Sequence, residues 1–433
     1  MDLKTWLGPE CPPERPPLAA MGPETRTLHA AVDAHIRASG EPWLHPSSPT
    51  VQRDLLGSPS MISWQERKGA VFFGGSECWS ELPQVYARYG TEATRRLIAQ
   101  VRILEGARGA VVVDSGMQAT ALVIDAALQP GGHVICHRQV YNKTRKYIEW
   151  TCQRIGAALS IVDDLASAEL RPETQLVFCE AFTNPLLQVQ RLDDLAIEGP
   201  TVVVDTTIST PWSARLLDHC DVVVASGTKA LCGQDTDLWG YVASDDLGLM
   251  NRVMDLVALR GGILDWRRAE AVLEGLGLVE ERHRRRCASA LEVVRYLVEH
   301  PRVAEVFHPS LVDHPGFSLL GGLLSFRIEG ADEDTTRRFC DALATCVVPR
   351  YALSFDGLVS KVNHHATVSE YFTPPPVLRR AGFDRLVRIG VGLEDPRDLC
   401  AAINWALLHG LELSDEDLEA WRTQRRKELS TSP

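Results

Sequence analysis

Lys229 lies in SGTKALCGQDTD, Ser226 to Asp237, a cation set among small residues directly after the apolar run DVVVA. Asp205 closes a second apolar run, TVVVD, and two hydroxyl residues follow it. Most lysines are solvated surface residues, so Lys229 acquires meaning only from its surroundings. A lysine in a sheltered cleft can form a Schiff base with an aldehyde. Ser226 and Thr228 add two hydroxyls beside it. A third piece, SGMQA (Ser115 to Ala119), places glycine at a strand-to-helix turn. There the free N–H groups of a first helical turn can meet an anion. Capping of the helix by Ser115 explains the same residues equally well.

The elements that must position these groups are short apolar strands. TVVVDTT (Thr201 to Thr207) and DVVVAS (Asp221 to Ser226) are β-branched runs bounded by polar residues, as in a parallel sheet covered on both faces. Asp205 and Lys229 each lie just past the carboxyl end of such a strand, the edge where open α/β sheets bind ligands. GAVVVDS, HVICH, ALSIV and QLVFCE read as further strands. Between them, Ala93 to Glu105, GMQATALVIDAAL and VYNKTRKYIEW read as helices, and DDLAIEG as a short one. The alternation predicts an α/β fold with a mostly parallel sheet. A long helix is expected from Trp266 past His300, followed by a smaller α/β unit with strands GLLSFRI and RLVRIGVG. The last segment, DEDLEAWRTQRRKEL, reads as a charged helix with acids early and bases late. The expected division is an N-terminal arm over 1–85, a large domain over 86–280 and a small domain over 281–433. No structure is assigned to the Pro/Ser-rich stretch up to about 85, where FFGGSE reads as loop.

The 433 residues are 45% hydrophobic, enough for a large core, and the net charge of −12 with no basic stripe excludes nucleic acid or an anionic membrane as the main partner. The cluster ERHRRR, Glu281 to Arg286, reads as the solvated face of a helix rather than a phosphate site. The eleven cysteines lack metal-type spacing, so no metal is expected and the thiols read as reduced, in a cytoplasmic protein. The first 22 residues carry prolines and charges where a signal peptide needs an apolar core, and no run approaches a membrane span.

Taken together, a Schiff-base lysine, an acid for a ring nitrogen and two small-residue turns for a phosphate are what pyridoxal 5'-phosphate requires. The chain also resembles the cysteine/methionine-metabolism family of pyridoxal-phosphate enzymes, the group of cystathionine γ-synthase, cystathionine γ-lyase and methionine γ-lyase. YARYGTEAT, LEGARGAVVVDSGMQA, VYNKT, EAFTNP, VDTTIST, SGTKALCGQDTD and RIGVGLED carry the resemblance, in the family's order, between about Glu24 and Gly410. It implies fold type I. It also implies roles: Lys229 holds the cofactor and moves protons, and Asp205 pairs with the pyridine nitrogen. Tyr141 stacks on the ring and acts as acid/base. Gly116, Met117, Ser226 and Thr228 hold the phosphate, and Asn184 bonds the ring's phenolic oxygen. Tyr86 and Arg88 reach the phosphate in a neighbouring subunit, in a homotetramer built as a dimer of dimers. Arg388 and Ser354 grip the substrate carboxylate, with Val359 also at the substrate. Arg388 could instead bridge Glu394 or Asp395, and Glu180 could be only a buried structural acid.

The departures from the family pattern cluster around the substrate. Asn142 and Lys143 replace a glycine pair, Val359 stands at a frequent glutamate, and Asp356 at a small position. His364 and His365 stand where one histidine and a proline are common. Drift or an unusual substrate, in specialised metabolism, would each explain them. The implied reaction is γ-elimination or γ-replacement on an L-amino acid whose γ leaving group is sulfur, an acyl ester or a halide. A β-lyase of cystathionine or cysteine conjugates, and an inactive cofactor-binding scaffold, are the rival readings.

Overall fold

The computed structural model describes residues 58–74, 82 and 85–430. Seven strands form the larger sheet: β1 Gly109–Val113, β2 His133–His137, β3 Ala158–Val162, β4 Thr174–Glu180, β5 Thr201–Asp205, β6 Val222–Ala225 and β7 Gly240–Ser244, in the order β1-β7-β6-β5-β4-β2-β3. β7 runs antiparallel to both of its neighbours, and the other pairings are parallel. The runs of valine follow from burial on both faces. Val202, Val204 and Val223 enter one core, while Val203, Val222 and Val224 enter the other. Period-two alternation is therefore present in the packing but invisible in the composition.

Helices cover both faces. α1 is Ser58–Gly74, α2 Glu92–Glu105, α3 Gly116–Ala127, α4 Asn142–Ile155 and α5 Leu247–Arg260. α3, α4 and α5 supply Leu122, Ile148 and Met250 to one core, and α2 supplies Leu97 and Val101 to the other. α1 extends through Gly74, so the first residues of the FFGGSE stretch are helical rather than loop. The remainder of the expected arm lies outside the described residues. DDLAIEG forms only a 3-10 turn, Leu192–Leu195.

α6, Trp266–Glu299, carries Ala269 and Val272 into the core of the large sheet and Ala290, Val293 and Leu297 into a third core. That core lies under the smaller sheet: β8 Val303–Phe307, β9 Leu323–Ile328, β10 Arg350–Tyr351, β11 Lys361–His364 and β12 Val387–Gly390, in the order β10-β11-β12-β9-β8. α7, Glu333–Leu343, and α8, Pro396–Leu408, close it with Phe339, Leu343, Ile403 and Leu407. ERHRRR is only partly a solvated face. Glu281, Arg284 and Arg285 are exposed, but His283 and Arg286 are fully buried. Their spacing of three puts both on the inward face of α6 with Val279 and Ala290. No helix among the described residues is long and apolar enough to cross a membrane.

Candidate active site

Three adjacent strands deliver acids and the lysine to one edge. Glu180 and Asp205 are register partners at the ends of β4 and β5, and β6 ends four residues before Lys229. Burial raises the pKa of Asp205, opposed by hydrogen bonds from Thr207, whose N–H reaches Oδ1 at 2.8 Å. Glu180 is pushed well above the usual carboxylate range by burial and then by the charge of Asp205. Its Oε1 accepts the N–H of Tyr141 at 2.6 Å. Glu180 thus fixes the backbone of Tyr141 at the entry to α4. The Tyr141 ring is 40% exposed at this edge, so it is not a packed helix-face aromatic.

The turns expected to meet the phosphate are shaped by glycine. A Cβ on Gly116 would lie 2.7 Å from the Cα of Ser226, and one on Gly240 would lie 2.6 Å from the Cα of Gly116. Only glycine lets the turn after β1 and the turn after β6 meet across β7. Ser115 caps α3 by accepting the Gln118 N–H at 3.3 Å. Ser226 donates its N–H to Thr207 Oγ1 at 2.9 Å. Thr228 commits its hydroxyl to Trp239, donating to the carbonyl at 3.2 Å and accepting the N–H at 3.1 Å. Met117 accepts a weak bond from the Thr144 hydroxyl at 3.8 Å.

The small sheet supplies the opposite wall. Lys229 Nζ donates to Ser354 Oγ at 2.8 Å and lies 5.5 Å from the centre of the Phe355 ring. Burial lowers the lysine pKa, with Asp356 and Asp235 opposing and Lys361 and Arg388 assisting. Arg388, on β12, is 5% exposed. Its Nη1 donates to Asn184 Oδ1 at 3.1 Å, and no carboxylate lies within ion-pair distance among the described residues. Glu394 instead accepts from the N–H and hydroxyl of Ser360, and Asp395 caps α8, so neither bridges Arg388. Burial draws the guanidinium pKa down to about 10. Val359, on the loop after Ser354, is 46% exposed.

Tyr86 and Arg88 stand apart. Arg88 packs 5.5 Å from the rings of Tyr86 and Tyr89 and lines a cavity with Thr94, Ile98 and Met254. Within the one chain, no hydrogen bond or ion pair among the described residues joins either to Lys229 or Asp205. The substituted residues beside Tyr141 face the small sheet's side. Asn142 Nδ2 donates to Ser369 O at 2.6 Å and Glu370 Oε1 at 3.0 Å, and Lys143 Nζ lies 4.1 Å from the centre of Phe372. His364 bonds Thr367 and Asp384, whereas His365 is buried edge-on to Phe383, its pKa pushed well down by burial and then by Arg388.

Phe355, Arg286 and the Asp235–Lys361 pair escape the sequence reading. In KVNH an alternating lysine reads as solvent-facing, and only the packing buries Lys361 to 7% exposure.

The site fits the cofactor inferred from the sequence. Two glycine turns pack backbone to backbone at one edge of the sheet, a sheltered acid stands at a neighbouring strand end, and the lysine's pKa is already lowered. The family described as Cys/Met metabolism PLP-dependent enzyme matches residues 76–408. A probable cystathionine gamma-synthase 2 of Arabidopsis thaliana is 32% identical over 74% of this chain and 81% of its own length. The O-succinylhomoserine sulfhydrylase of Pseudomonas aeruginosa is 31% identical over 74% of this chain and 83% of that protein. The chain spans 62% of the chloroplastic cystathionine gamma-synthase 1 of Nicotiana tabacum. Among solved structures, a cystathione gamma lyase (CalE6) from Micromonospora echinospora superposes with a TM-score of 0.70 at 28% identity, covering 76% of this chain and 89% of that one. The chain belongs to the Cys/Met metabolism family of pyridoxal-phosphate-dependent enzymes.

Proposed function

We propose that this enzyme carries out γ-elimination or γ-replacement on an L-amino acid whose γ carbon bears sulfur, an acyl ester or a halide. The observation that carries the reading is Arg388. A guanidinium 5% exposed whose hydrogen-bond partner among the described residues is an amide oxygen, with the centre of the Phe355 ring 6.0 Å away, is an expensive group to bury, and an amino-acid carboxylate completes it. It stands on the same wall as Ser354, which already touches Lys229.

Pyridoxal phosphate supplies an electron sink for charge developing at the substrate's α carbon. The chain's own groups do the rest. Gly116, Met117, Ser226 and Thr228 would hold the phosphate, Thr228 by giving up the bond its hydroxyl donates to the Trp239 carbonyl; Asp205 would balance charge at the pyridine nitrogen and Asn184 would bond the phenolic oxygen. Lys229, its pKa lowered by burial, removes the α proton and carries protons between the α and β carbons. Tyr141 would cover the ring face and protonate the γ leaving group; its phenol, pushed further up by burial, is protonated at neutral pH. Val359 in place of an acid turns the reading away from cystathionine toward a less polar, specialised substrate.

Residues 86–280 serve as the cofactor-binding domain and 281–433 as the small domain, supported by the separate core under the second sheet. The position of Arg88 away from its own Lys229 supports sites shared between subunits of a homotetramer. The nine free cysteines among the described residues support a cytoplasmic setting.

Incubation of the loaded enzyme in heavy water with L-amino acids lacking a leaving group tests the reaction by NMR. Exchange at both α and β carbons is expected. Exchange at the α carbon alone overturns the γ reading in favour of a β-lyase, and none in any substrate indicates a scaffold.

A further inference from the structure

The segment after Lys229 and the loop that brings Ser354 to it meet through charges that no role above uses, buried at Arg286, Asp356 and Lys361 and exposed at Asp235. Lys361, on β11 and 7% exposed, places Nζ 2.5 Å from Asp235 Oδ2. Arg286, on α6 and fully buried, donates from Nη1 to the carbonyl of Gly233 at 3.4 Å and brings Nε to 3.6 Å from Asp356 Oδ1. The links close a circuit. It runs from Gly233 through Arg286 and Asp356 into the loop, and back through Lys361 to Asp235. Gly357 lies inside it, where a Cβ would fall 1.8 Å from Asp235 Oδ2 and 2.9 Å from Lys361 Nζ.

We propose that Asp235, Arg286, Asp356 and Lys361 are positioning residues for the reaction: they clamp the loop of residues 352–360 onto the lysine loop and so hold Ser354 against Lys229. The inference rests on the reading that Lys229 carries the cofactor. Stability alone is a poor reason for such a cluster. Replacing a buried ion pair such as Arg286–Asp356 by apolar packing of similar volume is often neutral or stabilising, and the Lys361–Asp235 pair, exposed on its acidic side, contributes little to stability by itself. The backbone points the same way. Five described non-glycine residues have positive φ, and three of them lie in the two loops that meet: Asp235 at 63°, Ser354 at 74° and Asp356 at 61°. Strain of this kind persists where the surroundings over-determine a functional geometry.

The clamp also balances charge. The groups acting on Lys229 are Asp356 and Asp235, which favour its cation, and Lys361 and Arg388, which disfavour it. With each acid paired to a base, the lysine meets neutral pairs. Removing one member leaves its partner's full charge facing it. An orphaned Asp235 stabilises the protonated lysine linkage, and an orphaned Lys361 destabilises it.

The test titrates the visible absorption of cofactor-loaded protein against pH, without substrate, in the wild type, Lys361→Met, Asp235→Asn and the reversed pair Asp235→Lys/Lys361→Asp. Lys361→Met is expected to raise the protonation midpoint of the lysine–cofactor linkage by about one unit, and Asp235→Asn to lower it by about the same. The reversed pair returns the midpoint toward the wild type, and it recovers most of a roughly tenfold loss of kcat/KM in the single variants. Unchanged midpoints in both single variants, with only the melting temperature lowered, overturn the proposal and make the cluster structural cement. The reversed pair decides the matter if a single variant fails to fold. A wild type that shows no lysine-linked cofactor absorption would instead overturn the underlying reading, before any variant is compared.

Discussion

The two walls of the active site are built by opposite means. On the large sheet, position is set by backbone: strands end in step, and Gly116, Gly227 and Gly240 let turns approach until no Cβ fits. On the small sheet, position is set by buried side-chain charge: Arg388, Lys361, Asp356 and, from α6, Arg286. The first wall tolerates almost no added volume at these turns. The second is close-packed as well, at Gly357 and Gly392, and depends besides on which charges are paired. A cofactor of fixed shape suits the first kind of wall, and a substrate recognised by its carboxylate suits the second.

The most severe way to break the comparison is at the residue shared by both walls. Lys229→Ala is expected to lower kcat by about 10²–10⁴-fold or more through lost proton transfer alone, and to abolish the absorption of the lysine-linked cofactor. Steady-state rates and a spectrum check it. Retained turnover would mean that neither wall serves the chemistry assigned to it.

The charged wall comes next. Arg388→Met is expected to lower kcat/KM by about 10²–10³-fold, since breaking a buried charge pair by removing one partner typically costs about 3–5 kcal/mol. Cofactor content should stay near that of the wild type. The pH dependence has a definite sign. Burial sets the guanidinium at about 10, and only its cation holds a carboxylate, so KM should be steady below that value and rise above it. An Arg388→Met variant with unchanged kcat/KM would remove Arg388 from the substrate's carboxylate.

The glycine wall should answer in the other currency, cofactor retention. Gly116→Ala places a methyl 2.6 Å from Ser226 Cβ and 2.7 Å from its Cα. Overpacking of about 1–3 kcal/mol corresponds to roughly tenfold weaker cofactor binding, measured by dialysis and reloading. The KM of the loaded fraction should change little. A variant that kept its cofactor and lost substrate affinity would erase the distinction between the walls.

The same contrast explains what the sequence made legible. β1, β5 and β6 announce themselves because burial on both faces demands unbroken apolar runs, and Asp205 and Lys229 are then placed by strand ends alone. β11 is only KVNH, since Lys361 and Asn363 share its inward polar row with Arg388 as register partner. Such a strand has no apolar signature. β7 was hidden differently. It begins at Gly240, required by contact with Gly116, and its antiparallel return breaks the βα alternation. Arg286 misled for a third reason: five neighbours in ERHRRR make a charged stretch, and only the tertiary packing of α6 decides that this arginine points inward.

The smallest effect is expected where the walls touch without either of them being rebuilt. Asn142 stands beside Tyr141 in place of a glycine, yet its amide points away, to Ser369 O at 2.6 Å and Glu370 Oε1 at 3.0 Å. Its task is to tie the segment after β11 to the first turn of α4. Asn142→Gly removes two hydrogen bonds, one to a carboxylate that Thr373 still partners. It leaves untouched the bond from the Tyr141 N–H to Glu180, which orients the acid/base group. Net hydrogen-bond contributions of about 0.5–1.5 kcal/mol each predict a few-fold rise in KM, with kcat and cofactor content nearly unchanged. A large fall in kcat instead would mean that the departure from glycine serves the chemistry at Tyr141, and that the charged wall reaches further into the reaction than its contacts with Lys229 and Arg388.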